Sequence, residues 1–219
     1  MTSGLTAKRR ILIVDDHAIV RLGMRHLIAA EPDLSICGEA ETAEQAMGLA
    51  RTTTPDLAVV DLSLGATTGL ELVRDLVEAF PALPVLVLSM HDEALYAERA
   101  LRAGARGYIM KKGAAEGLIG AIRQVLAGRV YASEHVSQEL LESLQDSTSA
   151  RGGPLAGLTD RELEVFEMIG RGQSTAGIAD QLHVSIKTIE TYRSNIKTKL
   201  KLKDAAALVR YAVSWTARL

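Results

Sequence analysis

Polar side chains able to do chemistry follow four short apolar runs in the first half of the chain. They are Asp15 and Asp16 after residues 11–14, Asp61 after 57–60, Ser89 after 85–88 and Lys111 after 108–110. Apolar runs of this length are typical of strands buried on both faces of a parallel sheet. Ligands bind at the carboxyl ends of such strands. One polar residue can simply end its strand, but four such ends together predict a functional site.

The types of these residues indicate phosphoryl chemistry. Asp15, Asp16 and Asp61 cannot all ionise close together without a counter-charge, because like charges destabilise one another. Mg²⁺ suits this set, since it takes a few carboxylates, keeps several waters and leaves room for a phosphoryl oxygen. Asp61 is then the predicted nucleophile of an acyl phosphate. Lys111 would neutralise the phosphoryl group and the Ser89 hydroxyl would hydrogen-bond to it, although Lys111 alone is equally consistent with a solvated strand end.

His17 directly follows the acidic pair and suggests a different kind of site. The sequence Asp-Asp-His is compatible with a transition metal. No second histidine falls at metal-ligand spacing, and carboxylates suit Mg²⁺ better. We therefore expect a magnesium site without His17.

Segments with helical periodicity separate the apolar runs. Helices are predicted near residues 18–30, 42–53, 69–80, 95–103 and 114–127, and a further strand at 34–38. Five strands that alternate with five helices predict a parallel sheet with helices on both faces. In the first helix, Ile19, Leu22 and Leu27 are expected on a buried stripe. Cys37, the single cysteine, is expected to be buried in the second strand.

The chain changes character after residue 130. A further helix is predicted over 133–144, and residues 146–154 are small and polar, which is the composition of a flexible linker. We expect a first domain at 8–130, the helix and linker at 131–155 and a second domain at 156–219.

The second domain is predicted to be all helix. Thr159 and Glu162 form a capping-box pattern at the start of its first helix, and Ser185 is a predicted cap of the third. The later helices are predicted at 174–182, 185–200 and 204–215, with a tight connection at 183–184. A short helix, a tight turn and a longer helix make a helix-turn-helix arrangement.

Charge is divided unequally along the chain. Residues 1–150 hold 14 basic and 20 acidic residues, whereas 151–219 hold 11 basic and 7 acidic residues, a net −6 against +4. The basic second part indicates a polyanionic partner. No apolar segment approaches transmembrane length, and residues 1–10 lack the apolar core of a signal peptide, so a cytoplasmic protein without membrane association is expected.

The helix predicted over 185–200 has the features of a DNA-recognition helix. Its apolar positions, which are expected to face the core, are Ile186, Ile189, Ile196 and Leu200. The opposite face is polar and narrow, with Lys187, Glu190, Thr191, Ser194, Lys197 and Thr198. An ordinary solvated face has the same pattern, but the preceding short helix, the tight turn and the lysines of 197–203 favour insertion into a DNA major groove.

The last predicted helix is apolar on two sides. Leu208, Tyr211 and Trp215 lie on one side, and Val209 and Val213 on another. Burial of both sides in the core and exposure of one side to a partner are equally compatible with this pattern.

Four motifs in the first domain resemble the receiver domain of bacterial two-component response regulators. They are ILIVDDH at 11–17, AVVDLSLGATTGLEL at 58–72, VLVLSMH at 85–91 and ARGYIMKK at 105–112. The segment 158–200, which begins LTDRELEVFEMIG, resembles a LuxR-type helix-turn-helix. In order, spacing and coverage the chain is similar to the NarL/FixJ family of response regulators.

The resemblance implies a flavodoxin-like receiver with a doubly wound, five-stranded parallel sheet, followed by a small all-α domain. It implies that Asp61 is the phospho-acceptor. The implied ligands of Mg²⁺ are Asp15, Asp16, Asp61 and the backbone carbonyl of Ser63. Ser89 matches the hydroxyl that moves toward the phosphoryl group, Tyr108 the aromatic that moves with it, and Lys111 the lysine of the family.

The resemblance also implies the partners. A sensor histidine kinase would donate the phosphoryl group, and the protein would bind promoter DNA as a homodimer paired through its last helix. The predicted DNA contacts are Lys187, Thr188, Glu190, Thr191, Ser194, Lys197 and Lys199. Glu190, Thr191 and Ser194 are expected to reach base edges, whereas lysines and terminal hydroxyls suit phosphates.

One departure from the family lies in the loop after the acceptor. The family usually has Met-Pro where Leu64-Gly65 stands here, and loss of the proline is expected to loosen the loop.

Two rival functions are compatible with the same residues. A magnesium-dependent phosphatase needs a second acid/base carboxylate and a substrate cap; the sequence has no candidate for the cap, and its remaining length has a DNA-binding pattern. A phosphorylation-independent DNA binder is disfavoured by the intact set of acidic, hydroxyl and lysine residues.

Overall fold

The chain folds into two compact units, Met1–Leu141 and Glu142–Leu219. The computed structural model describes residues 7–65, 67–134, 136, 138 and 154–217 within them. Most of the helix predicted over 133–144 and of the linker over 146–154 lies outside the described residues. The domain boundaries at 130 and 155 therefore stay predictions.

The first unit alternates strands and helices. Its strands are β1 (Arg9–Val14), β2 (Leu34–Ala40), β3 (Leu57–Val60), β4 (Ser63–Leu64), β5 (Thr67–Thr68), β6 (Val85–Ser89) and β7 (Gly107–Met110). Its helices are α1 (Ala18–Ala29), α2 (Ala43–Thr53), α3 (Gly69–Ala79), α4 (Glu93–Arg102) and α5 (Ala114–Leu126). The predicted alternation of strand and helix is confirmed.

Five of these strands form one parallel sheet in the order β2-β1-β3-β6-β7. The order reverses between β1 and β3, so the crossovers place helices on both faces, as the doubly wound arrangement requires. Every residue of β3 is fully buried, which is why that strand has no polar residue before its carboxyl end. The predicted fold class is confirmed.

The buried face of α1 differs from the prediction. Ile19 and Leu22 are 74% and 53% exposed, and the buried residues of the helix are Arg21, Met24 and Ile28. The prediction was wrong for these two residues because several stripes of this largely apolar helix satisfy the same periodicity, and tertiary contacts choose between them. Leu27, the third predicted residue, is half-buried and packs against the core. Cys37 was expected to be buried and is half-buried.

The second unit contains helices α6 (Asp160–Gly170), α7 (Thr175–Gln181), α8 (Ile186–Lys199) and α9 (Ala205–Thr216). Thr159 and Glu162 form the predicted capping box of α6, and the side chain of Ser185 caps α8. Helices α7 and α8 are joined by a tight turn in which His183 has a φ of 53°. The helix-turn-helix arrangement is confirmed.

Packing in the second unit leaves one predicted core residue outside. Ile189 and Ile196 of α8 are fully buried, but Ile186 is 52% exposed. Ile186 is the first residue of the helix and is open to solvent, so the prediction that it faces the core was wrong. Among the residues that the structure describes, no helix is long and apolar enough to span a bilayer.

Candidate active site and nucleic-acid interface

The carboxyl ends of β1, β3 and β7 bring charged side chains together. The β1–β3 register pairs Val14 with Val60, which places the following residues, Asp15 and Asp61, side by side. Lys111 follows β7, and its Nζ lies 2.7 Å from Oδ2 of Asp15 and 2.7 Å from Oδ2 of Asp61. The predicted meeting of carboxylates and an ammonium at one sheet edge is what the structure shows.

Burial sets the electrostatics of this group. The side chains of Asp15 and Asp61 are each 1% exposed. Burial raises the pKa of Asp61 from 3.8 to about 6, Lys111 opposes that rise, and Asp15 adds to it. Burial lowers the pKa of Lys111, but the two carboxylates outweigh it and the net change is upward. One cation therefore does not fully compensate two buried anions.

The acidic cluster suits a hard divalent cation. Oδ1 of Asp61 is buried and has no hydrogen-bond partner among the described residues. Asp15, Asp16, His17 and Asp61 each offer one ligand atom, and these atoms lie within 4.8 Å of one another. The His17 side chain is exposed, and its Nδ1 lies 2.5 Å from Oδ1 of Asp16. The carboxylates fit the oxygen ligation that Mg²⁺ prefers.

Residues after β6 link the loop that follows Asp61, called here the acceptor loop, to a buried tyrosine. The N–H of His91 donates to Oγ of Ser89 at 3.1 Å, and the hydroxyl of Tyr108 donates to the His91 carbonyl at 2.7 Å. Nε2 of His91 is 3.1 Å from Oγ of Ser63, and its ring stacks on Tyr96 with centroids 4.4 Å apart. Ser89 and Tyr108 were predicted, whereas His91 was missed because scattered histidines carry no spacing signal.

The acceptor loop is a short antiparallel hairpin rather than an irregular loop. Strands β4 and β5 pair Ser63 with Thr68 and Leu64 with Thr67. Gly65 turns the hairpin with a φ of 65°, a conformation that glycine adopts readily. The Leu64-Gly65 departure therefore supplies a turn residue, and its effect on loop stiffness stays a prediction.

Gly69, at the start of α3, packs directly against the acceptor loop. A Cβ at this position would lie 2.1 Å from the Asp61 carbonyl oxygen and 2.4 Å from Cα of Leu62. The Gly69 N–H also donates to the Leu62 carbonyl at 2.8 Å. Only glycine permits this approach, and sequence reasoning had treated the position as an ordinary helix start.

Helix α8 presents most of the predicted DNA contacts to solvent. Five of the seven are exposed (Lys187, Glu190, Thr191, Ser194 and Lys199) and two are half-buried (Thr188 and Lys197). Nζ of Lys199 also lies 2.6 Å from Oε2 of Glu162 at the start of α6. Lys199 thus has an intramolecular partner, and its DNA contact stays a prediction.

Helix α9 buries one side and exposes another. Leu208 is fully buried, and Tyr211 lies between Phe166 and Trp215, with ring centroids 5.9 Å and 6.2 Å apart. Val209 and Val213 are exposed large apolar residues. The two apolar sides are therefore not both in the core of the second unit.

Comparisons with known proteins agree with this geometry. Residues 11–123 match the family model of the response regulator receiver domain, and residues 156–212 match that of bacterial regulatory proteins of the LuxR family. The chain belongs to the two-component response regulators with a LuxR-type DNA-binding domain. The regulator is 34% identical over 210 residues to the oxygen regulatory protein NreC of Staphylococcus epidermidis, covering 93% of this chain and 96% of the relative.

Other relatives are similar over nearly their whole length. The response regulator GacA of Pseudomonas aeruginosa is 35% identical over 205 residues, with 93% of this chain and 95% of GacA covered. The solved structure of RcsB from Salmonella typhimurium has a TM-score of 0.67 at 26% identity, covering 95% of the regulator and 98% of that chain. A solved RcsB–DNA complex has a TM-score of 0.57 at 26% identity, covering 94% and 98%.

Replacing Gly69 with alanine should displace the acceptor loop. Because the added methyl group meets backbone atoms that cannot rotate away, we expect a loss of about 1–3 kcal/mol in the free energy of unfolding, measured by urea denaturation. Gly48→Ala is the matched control, since nothing lies within 4 Å of a Cβ at that exposed position of α2. That variant should gain up to about 1 kcal/mol. Equal effects of both substitutions would contradict the prediction.

Replacing Asp61 with asparagine should stabilise the protein in EDTA at about pH 8. The pKa of Asp61 is raised from 3.8 to about 6, so its contribution to stability is fully present below 3.8 and is lost as the pH rises through 6. Two pKa units correspond to about 3 kcal/mol, which is the upper limit of the gain.

Urea denaturation at about pH 8 and about pH 5 measures this effect. The advantage of Asp61→Asn should shrink at the lower pH, where the wild-type carboxyl is largely protonated in the folded state. Asp75→Asn, at an exposed position of α3, is the control and should show no such pH-dependent advantage. A variant that is less stable than the wild type at about pH 8 would show that burial does not dominate the site.

Proposed function

We propose that the protein accepts a phosphoryl group on Asp61 from a sensor histidine kinase and then binds promoter DNA as a homodimer. The observation that carries this proposal is the contact of Lys111 with both Asp15 and Asp61 at the sheet edge. Two carboxylates and a cation in contact at one sheet edge support the role of Asp61 as a phospho-acceptor. Membership in the response regulator family supports the same role.

The proposed reaction is a transfer between two side chains. A carboxylate oxygen of Asp61 attacks phosphorus, the P–O bond to aspartate forms, and the P–N bond to the kinase histidine breaks. The departing imidazole nitrogen keeps the bonding pair. Lys111 stays paired with the negative charge of the transferred group. The ionised form of Asp61 is the reactive one, so cations beside it favour the reaction by lowering its pKa.

The acidic residues have a proposed role in holding Mg²⁺. Asp15, Asp16, Asp61 and the backbone carbonyl of Ser63 would ligate the ion. When bound, Mg²⁺ supplies Lewis-acid charge neutralisation for the phosphoryl oxygens. The buried Asp61 Oδ1, which has no hydrogen-bond partner among the described residues, supports this assignment.

Ser89 and Tyr108 are proposed to report phosphorylation to the rest of the unit. Oγ of Ser89 accepts from the His91 N–H, so a phosphoryl group that recruits the Ser89 hydroxyl competes with that contact. The Tyr108 hydroxyl is bonded to the same residue through the His91 carbonyl. Phosphorylation would thereby shift the population between two arrangements of this segment.

The exposed apolar residues of α1 support a protein as the phosphodonor. Ile19 and Leu22 follow the acidic cluster within two turns of helix and are largely exposed. Exposed large apolar side chains beside a reactive group are typical of a protein-binding surface. We therefore place the kinase contact on this end of α1.

Helix α8 is the proposed reader of DNA. Lys187, Thr188 and Lys197 would contact phosphates, and Glu190, Thr191 and Ser194 would reach base edges. Val209 and Val213 on α9 are exposed and give each DNA-binding domain an apolar surface for pairing with a second copy. A solved structure of RcsB shows dimers of that protein bound to DNA.

The protein is proposed to act as a regulator and not as an enzyme with turnover. The phosphoryl group stays on Asp61 as a signal, and the rest of the chain forms the DNA-binding domain. We keep the domain boundaries at 8–130 for the receiver, 131–155 for the helix and linker, and 156–219 for the DNA-binding domain.

Incubation with Mg²⁺ and acetyl phosphate should add one phosphoryl group to the purified protein. Intact mass measurement should show the adduct in the wild type with Mg²⁺ and not with EDTA, and Asp61→Asn should show none. Asp75→Asn is the control for a general effect of removing a carboxylate. A folded wild type without an adduct would favour the phosphorylation-independent DNA binder, and an adduct in Asp61→Asn would place the nucleophile elsewhere.

Lys187→Ala should weaken DNA binding, whereas Lys199→Ala should mainly destabilise the second unit. Lys187 is exposed and has no ion-pair partner among the described residues, so its loss should reduce the slope of log K against log salt by about one. Lys199 is paired with Glu162, so its loss should mainly lower the stability of the second unit. Titration of a random-sequence duplex at several salt concentrations measures the first effect, and urea denaturation followed by Trp215 fluorescence measures the second. Identical salt slopes for both variants would contradict this distinction.

A further inference from the structure

Arg21 is a buried arginine whose role is not part of the phosphoryl transfer described above. It lies on α1, and its side chain is 11% exposed. Nη1 donates a 2.7 Å hydrogen bond to the backbone carbonyl of Asp15. The rest of the guanidinium group pairs with Glu41 and, at 3.8 Å, with Glu39. One side chain therefore connects the turn after β1 to the end of β2.

The contact of Arg21 completes the partners of Asp15. The Asp15 N–H donates to the Ala40 carbonyl at 3.1 Å. Its Oδ1 accepts from the His17 N–H at 2.9 Å, and its Oδ2 lies 2.7 Å from Nζ of Lys111. With the carbonyl bound by Arg21, both backbone polar groups of Asp15 have a partner, and its side chain is in contact with His17 and Lys111. These contacts restrain the backbone that leads into Asp16.

We propose that Arg21 is a positioning residue that fixes the β1–α1 turn, so that Asp15 and Asp16 present their carboxylates together to a divalent cation. This inference rests on the magnesium site of the proposed function. An arginine fork that binds a carbonyl and a carboxylate at once fixes the relative position of both. Groups that orient metal ligands without touching the metal control affinity in the same way.

Position 21 does not need an arginine for packing. The other buried residues of α1, Met24 and Ile28, are apolar, and burial of a charge is costly unless it is well paired. Nor does Glu39 require it, because Arg25, one turn later, binds Glu39 with two hydrogen bonds of 2.8 Å while remaining 53% exposed. Arg21 differs from Arg25 in its pair with Glu41 and in its hydrogen bond to the Asp15 carbonyl, and only the second of these reaches the acidic cluster.

The direction in which Mg²⁺ affinity changes when Arg21 is removed distinguishes a positioning role from a simple effect of its charge. A cation near the acidic cluster repels Mg²⁺, so removing Arg21 would strengthen Mg²⁺ binding if its charge were all that mattered. A positioning role predicts the opposite result, because the turn relaxes and the carboxylates separate. The positioning role and the charge effect therefore predict opposite changes in the Mg²⁺ affinity that a titration measures.

The test uses the full-length protein and Mg²⁺ alone as the probe. Arg21→Gln, Arg21→Lys and the matched control Arg25→Gln are titrated with Mg²⁺ by calorimetry, and their melting temperatures in EDTA are recorded. Arg21→Gln should weaken Mg²⁺ binding by about tenfold, whereas Arg25→Gln should bind as the wild type does. Arg21→Lys should lie between, because one ammonium group cannot span the carbonyl and the glutamates.

Each outcome decides the proposal. Mg²⁺ binding by Arg21→Gln that equals or exceeds that of the wild type overturns it and leaves the proposed function intact. If Arg21→Gln fails to fold in EDTA, Arg21→Lys decides, since it keeps the charge: wild-type affinity in that variant overturns positioning, and severalfold weaker binding supports it. A wild type that binds no Mg²⁺ removes the magnesium site itself, and the Arg21 proposal with it.

Discussion

The contact of Lys111 with two buried carboxylates sets the electrostatics on which the rest of the first unit depends. One ammonium group faces Asp15 and Asp61, with Asp16 close by, so the pocket keeps a net negative charge where water is largely excluded. The raised pKa of Asp61 is the measure of that imbalance. A pocket in this state gains free energy from any further cation that oxygen ligands can hold. The arrangement that makes the Asp61 carboxylate hard to ionise alone is therefore one that a further cation would stabilise.

The same sheet edge is connected by short contacts to residues outside the acidic cluster. His91 takes part through three different groups: its N–H with Ser89, its carbonyl with Tyr108 and its ring with Ser63. Ser63 belongs to the acceptor hairpin and Ser89 to the neighbouring strand β6. Both residues therefore contact His91, whose backbone carbonyl accepts the hydrogen bond of the Tyr108 hydroxyl. Stacking of the His91 ring on Tyr96 extends these contacts to α4.

The sequence predicted the structure well where a whole strand is buried on both faces. It predicted the structure poorly where several faces of a helix could be buried equally well and tertiary contacts decide between them. Strands such as β3, buried on both faces, leave a continuous apolar run, and their ends placed Asp15, Asp61 and Lys111 correctly. The rotation of α1 was not predictable, because Ile19 and Leu22 fit the helical period as well as the residues that are buried. Gly69 shows the other limit, since its requirement comes from backbone atoms of Asp61 and Leu62 that no local pattern reveals.

In the second unit a structural ion pair restricts which residues are available to DNA. Oε2 of Glu162 accepts from the Thr159 N–H at 2.8 Å in the capping box of α6 and also binds Lys199 at the end of α8. Burial alone would raise the pKa of Glu162, but Lys199 and Thr159 outweigh it and lower that pKa. The carboxylate is thus kept charged to hold two helices together. Lys199 therefore has a structural role in fixing α8, whereas Lys187 on the exposed face of the same helix has no ion-pair partner among the described residues.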